Sequence, residues 1–92
     1  MDLETKIEAL RIEASVQRFQ QDGFATRPQI GRLMQIFKPI TPDREERLWM
    51  MSVLLQRTVT SFNDLAKGEA SVLIDHPDLR DILEWLLGQP FP

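Results

Sequence analysis

The sequence predicts an all-α fold, a small bundle of about five helices with a long N-terminal helix. Three observations lead there. Apolar residues recur at i, i+3, i+4 and i+7 in separate stretches, the spacing of one helical face. Gly, Pro, Ser, Thr and Asp stand at the ends of those stretches, where helices start and stop. The one strand-like segment, Val59-Thr60-Ser61, is too short and polar to support a sheet. The chain has 92 residues, 42% hydrophobic and 27% charged. That is an ordinary globular balance and enough length for one core of modest size. The expected organisation is a single helical domain over 1–92: an N-terminal helix and oligomerisation arm over 1–23, a central module over 24–76, and a C-terminal helix and tail over 77–92.

The first helix is expected from about Asp2 to Asp22, stopped by Gly23 as a left-handed residue. Its apolar residues change side halfway. Leu3, Ile7, Leu10 and Ala14 follow a 4-3-4 spacing, and Ile12, Val16 and Phe19 lie on nearly the opposite side at about 100° per residue. A helix packed on one core needs only one stripe. The expectation is that Ile12, Val16 and Phe19 pack on their own domain while Leu3, Ile7 and Leu10 meet another surface, such as a second copy. The alternative is a first half that curls over another part of the same core.

Helix 2 begins at Thr26, where Thr26 and Gln29 form a T-x-x-Q capping box, and Pro28 is harmless in the first turn. Ile30, Leu33, Met34 and Phe37 form its core stripe, Pro39 ends it, and Gln29, Arg32, Gln35 and Ile36 point outward. Helix 3 opens with Thr41 as cap and Pro42 at the first helical position. Leu48, Met51 and Leu55 centre its buried face, widened by Met50 and Leu54, and the helix fades at Arg57-Thr58. Trp49 and Val53 stand on a separate side. They either receive Ile12, Val16 and Phe19 or form a partner site, since aromatic anchors are common in interfaces.

Ser61 is expected to cap a single turn through Phe62-Asn63-Asp64-Leu65. Helix 4 runs from about Lys67 to Asp75 with Ala70, Leu73 and Ile74 inward. Helix 5 starts around Asp75-His76-Pro77 and runs to Leu87, burying Leu79, Ile82, Leu83 and Leu86 and ending at Gly88. The tail Gln89-Pro90-Phe91-Pro92 cannot continue a helix; it reads as a disordered end or a short protein ligand.

Charge and chemistry narrow the function classes. The net charge of −3 argues against a general DNA coater, because such affinity comes from Lys and Arg neutralising phosphates. The distribution is uneven: −2 over 1–17, +3 over 18–57 and −4 over 58–92. No apolar run is long enough to span a membrane, and the acidic start lacks the apolar segment of a secretory signal. Without cysteine there is no disulfide framework or thiolate metal site, which fits a cytoplasmic protein. The only histidine, His76, precedes a proline at a helix start and reads as a cap or turn residue rather than a general base. Asp75, Asp78 and Asp81 suit the positive end of helix 5 and need no cation. The four glycines stand alone at 23, 31, 68 and 88, so there is no phosphate-cradling loop. The expectation is a binding protein rather than an enzyme, with no cofactor and no metal.

Two stretches resemble a known module. Ala25-Thr26-Arg27-Pro28-Gln29-Ile30 opens one helix, and Asp64-Leu65-Ala66-Lys67-Gly68-Glu69-Ala70-Ser71-Val72-Leu73-Ile74-Asp75 opens another, with Asp43-Arg44-Glu45-Glu46 between them. This layout is similar to the small helical module at the C-termini of phage single-strand annealing proteins and of other phage or bacterial DNA-processing proteins, also found as short standalone bacterial proteins. It covers about residues 25–76. The chain departs from the pattern at Ala66, where Thr or Ser usually caps the next helix, and Gly68 weakens that helix start further. The resemblance implies a non-enzymatic adaptor beside nucleic-acid-processing machinery, binding a protein partner and, in one version, nucleic acid.

Nucleic acid, if contacted, would meet Arg27, Arg32, Lys38, Arg44 and Arg47. Arg27 sits near a helix start, where backbone N–H groups favour phosphate. Leu3, Ile7, Leu10, Trp49, Val53 and Trp85 are the candidate partner or dimer interface. Two other readings stay open: an inhibitor of a host nuclease or defence complex, whose acidic ends mimic a polyanion, and a homodimer paired through the N-terminal helix.

Overall fold

In the computed structural model, which describes residues 2–89, the order is α1 (Leu3–Gln20), α2 (Arg27–Phe37), α3 (Arg44–Leu55), a 3-10 turn (Phe62–Asp64), α4 (Lys67–Asp75) and α5 (Leu79–Leu87). The first three helices, α1, α2 and α3, each begin at a side-chain cap, whereas α4 and α5 begin without one. The all-α class is as the apolar spacing predicts. The only strand-like pairing among the described residues is a single antiparallel bridge between Phe24 and Ala66. The expectations for Pro90, Phe91 and Pro92 lie outside the described residues.

The Asp2 carboxylate caps α1 by accepting the Thr5 N–H and hydroxyl, both at 2.8 Å. The Thr5 N–H, helped by the hydroxyl, holds that carboxyl below its usual value. Gly23 adopts φ +91°, the backbone that L side chains resist. The α2 capping box forms as read: Thr26 Oγ1 accepts the Gln29 N–H, and Gln29 Oε1 accepts the Thr26 N–H.

α3 departs from its expected start. Asp43, not Thr41, is the cap, its carboxylate accepting the Glu45 N–H at 3.0 Å. Thr41 is buried and accepts the Asp43 N–H instead. The Arg47 guanidinium explains the shift, because it donates to the carbonyls of Thr41 (3.3 Å) and Pro42 (2.6 Å) and so occupies acceptors there. Gln56 closes α3 with φ +53°. The turn at Phe62 is capped by Ser61 as expected. Asp75 ends α4 rather than opening α5, and His76 joins the two helices, its Nδ1 accepting the Asp78 N–H at 3.1 Å.

One core forms, centred on Leu10, Leu33, Phe37, Met51, Leu73 and Ile82, all with no exposed surface. Phe37 and Phe62 meet edge to face at 5.3 Å, the geometry the ring quadrupoles favour. α1 makes its widest contact with α4, and then touches α3 and α5; α2 lies on α4. The approach of α1 to α4 is close because of Gly68. A β-carbon there would overlap the Gln17 carbonyl and stand 3.1 Å from the Arg18 nitrogen. Gly68, which costs α4 some intrinsic helicity, is what lets the two backbones meet.

That approach decides the sidedness of α1, and it corrects the sequence expectation. Ile7, Leu10 and Ala14 are buried in the chain's own core, and Leu3 packs at its edge. Ile12, Val16 and Phe19 face outward instead, exposed by 62%, 46% and 79%. The arm is inverted relative to the reading in which its first half meets a second copy.

Candidate functional site

The side chains singled out as interface candidates converge in part. Ile7 from α1, Trp49 and Val53 from α3, and Trp85 with Leu86 from α5 line one groove of about 430 Å³, rimmed by Glu4, Glu8, Arg11 and Gln89. Ordinary helix packing builds it. Trp49 and Val53, four positions apart on one side of α3, face α1 across the groove, and Trp85 follows Ile82 by three positions on α5. All three are partly buried against the core, so each ring or branch is held on one side and open on the other. The Arg11 guanidinium donates to the Val53 carbonyl from Nε (3.2 Å) and Nη2 (2.9 Å). It thus pins α1 to the end of α3 and fixes one wall. Glu8 stands 3.4 Å from Arg11 and keeps 60% of its side chain exposed.

Trp49 and Val53 do not receive Ile12, Val16 and Phe19, because those three point to solvent. Leu3 and Leu10 are not in the groove; Leu10 is enclosed and Ile7 reaches the groove only as part of its lining. Ile7 and Leu10 are buried and Leu3 packs against the core, so the three do not form a free interface on the first half of α1.

The five basic candidates separate. Arg47 is buried and committed to the two carbonyls before α3, so it offers nothing to a phosphate. Arg44 is exposed but donates to the Thr60 carbonyl at 3.2 Å and lies 3.9 Å from Glu45. Arg27 and Arg32 are exposed on α2, and Lys38 is exposed just past its end. Arg27 and Lys38 share one side, whereas Arg32 lies about 140° away at 100° per residue. They form no single stripe. Gln29, expected outward, faces α4: its Nε2 donates to Ser71 Oγ at 3.1 Å and to the Lys67 carbonyl at 3.4 Å.

The strongest electrostatic feature is a contact that sequence reading missed. Arg57 donates to both oxygens of Glu69, from Nε at 3.1 Å and Nη2 at 2.7 Å, and also to the Asp64 carbonyl. Glu69 is buried, and burial alone would push its carboxyl up. The Arg57 hydrogen bonds, the Ala66 N–H at 2.8 Å and the charges of Arg57 and Arg18 outweigh that, holding it below its ordinary value. The hydrogen bond to Glu69 raises the Arg57 guanidinium in turn. Glu69 was legible as a first-turn acceptor. Arg57, read as the fading end of α3, carried no periodic signal.

Among the described residues no cluster of three His, Asp or Glu is arranged to hold a metal ion, and no helix is long and apolar enough to cross a membrane. A scan against protein-family models finds no match, and comparison with curated proteins and with solved structures finds none either.

Proposed function

We propose that the chain is a non-enzymatic helical adaptor, cytoplasmic, that binds a protein partner in the groove between α1, α3 and α5. The observation that carries this reading is the convergence of Trp49, Val53 and Trp85 on one concave, largely apolar surface with an acidic rim at Glu4 and Glu8. Half-buried tryptophans held by a rigid core lose little entropy when a partner covers them, and such residues dominate binding energy in interfaces. The setting, beside phage or bacterial nucleic-acid-processing machinery, rests on the resemblance over residues 25–76.

Panning a displayed peptide library on the intact chain tests the groove. Selected peptides should shift the tryptophan emission and lose at least about tenfold in affinity against Trp85→Ala, the scale of a hot-spot residue. Peptides indifferent to both Trp49→Ala and Trp85→Ala would remove the groove as the binding site.

Direct contact with nucleic acid is the second reading, favoured by the exposed Arg27 and Arg32 on α2 and Lys38 just past its end. Fluorescence anisotropy with single-stranded and duplex oligonucleotides across a salt series tests it. Binding that weakens steeply with salt and with Arg27→Ala plus Lys38→Ala supports contact; no binding at low salt removes it.

A further inference from the structure

We propose that the outer face of α1 is a second docking surface, bordering the groove at Glu8, whose occupant is a basic amphipathic helix of another protein. Ala9, Ile12, Val16 and Phe19 are all exposed and follow a 3-4-3 spacing, the a/d seam against which a second helix seats its side chains. Phe24, past the helix end, is also exposed, at 73%, and lines a shallow depression with Arg18. Exposed apolar residues scattered singly are ordinary, but a continuous stripe of this kind marks an interaction site.

The charges beside the stripe select the occupant. The flanking positions on α1 are Lys6, Glu8, Glu13, Ser15 and Gln20. Lys6 is drawn away to Asp78 at 3.4 Å. Arg11 lies further round and is held by the Val53 carbonyl, and Arg18 sits 5.7 Å from the Phe19 ring on the side that acts on Glu69. Glu8 retains only its 3.4 Å contact with Arg11, and Glu13 has no ion pair among the described residues. The seam is thus apolar, with the Arg18 guanidinium over Phe19 at one end and exposed carboxylates at Glu8 and Glu13 along the rest. That stretch is complementary to a helix carrying Leu or Ile between rows of Lys or Arg.

The same charges argue against a second copy. An antiparallel pairing that seats Ile12 on Val16 brings Glu13 against Glu13, and a parallel one brings Glu8 against Glu13. Like charges at these positions oppose pairing.

The test uses the intact chain and two synthetic three-heptad helical peptides, both with Leu at a and d, one with Lys and one with Glu at e and g. Calorimetric titration should show the Lys peptide binding at least about tenfold tighter than the Glu peptide, with affinity falling as salt rises. Ile12→Asp plus Phe19→Asp should abolish binding although it adds negative charge, and Glu13→Lys should shift preference toward the Glu peptide. Trp85→Ala should leave this binding unchanged, so failure of the groove and failure of this face are separable. Equal affinity for the two peptides, binding retained by Ile12→Asp plus Phe19→Asp, or a sedimenting dimer that Ile12→Asp dissociates would overturn the proposal.

Discussion

Replacing Gly68 by alanine tests the helix contact on which the sidedness of α1 depends. Alanine raises intrinsic helicity by about 1 kcal/mol over glycine, so propensity alone predicts stabilisation. The structure predicts the reverse. The added methyl would overlap the Gln17 carbonyl and crowd Arg18 N, and those atoms are backbone of α1, which cannot swing aside as a side chain can. Overpacking of this kind costs about 1–3 kcal/mol, and a rigid obstacle places it at the upper end. The net loss is then about 1–2 kcal/mol, or roughly 5–15 °C in melting temperature for a domain this size. Gly31 supplies the control. It also lies within a helix, and a β-carbon there meets nothing within 4 Å, so Gly31→Ala should stabilise by about 0.5–1 kcal/mol. Thermal melts followed by circular dichroism, with urea titrations of unchanged slope, compare the two. A Gly68→Ala protein as stable as Gly31→Ala would show that α1 does not approach α4 as described.

Other substitutions probe the remaining polar contacts. Glu69→Gln should destabilise the fold by about 1–3 kcal/mol at neutral pH, by breaking the Arg57 pair. Because the Glu69 carboxyl is held below its ordinary value, its contribution is complete above the unfolded value near 4 and is lost as pH falls through the folded one. The gap between wild type and Glu69→Gln in urea midpoint should therefore close below about pH 4. Ala66→Ser restores an acceptor where α4 has no side-chain cap and should raise stability by about 1 kcal/mol, read in the same titration. Arg47→Ala should cost about 2 kcal/mol or more, since it strips the carbonyls of Thr41 and Pro42, while Arg32→Ala should stay within about 0.5 kcal/mol.

Local signals were the legible ones. Thr26 with Gln29, Ser61, the α4 boundaries and the Leu79-Ile82-Leu83-Leu86 face all rest on interactions within a few residues, and each appears where the spacing placed it. The misplaced features depend on contacts that the apolar spacing does not report, one of them nearby and one far along the chain. Thr41 lost its cap role because Arg47 occupies the carbonyls around it. The α1 stripes exchanged roles because Gly68, about fifty positions away, sets which side α4 meets. Of the interface candidates, Trp49, Val53 and Trp85 were found as apolar residues left over from the core stripes. Their convergence was not readable, because it needs the relative positions of three helices.

The residues that carry the resemblance are absorbed by the fold itself. Thr26 and Gln29 cap α2, Gln29 continues to Ser71 on α4, and Glu69 ties Ala66 to Arg57. Two backbone hydrogen bonds close the same corner, Ala25 to Leu65 at 2.9 Å and Lys67 to Gly23 at 3.0 Å. These contacts fix the geometry of α2 against α4 and engage the motif's side chains within the fold, so binding is expected at surfaces outside it. The two proposed docking surfaces lie outside it: both involve α1, which precedes the motif, and the groove adds α5, which follows it. The two roles should therefore separate on mutation. Gln29→Ala should lower stability by about 1 kcal/mol while leaving peptide affinity in the groove unchanged, and Trp85→Ala should weaken binding while the chain melts as a folded domain. Loss of groove binding in a fully folded Gln29→Ala protein would place function back on the motif.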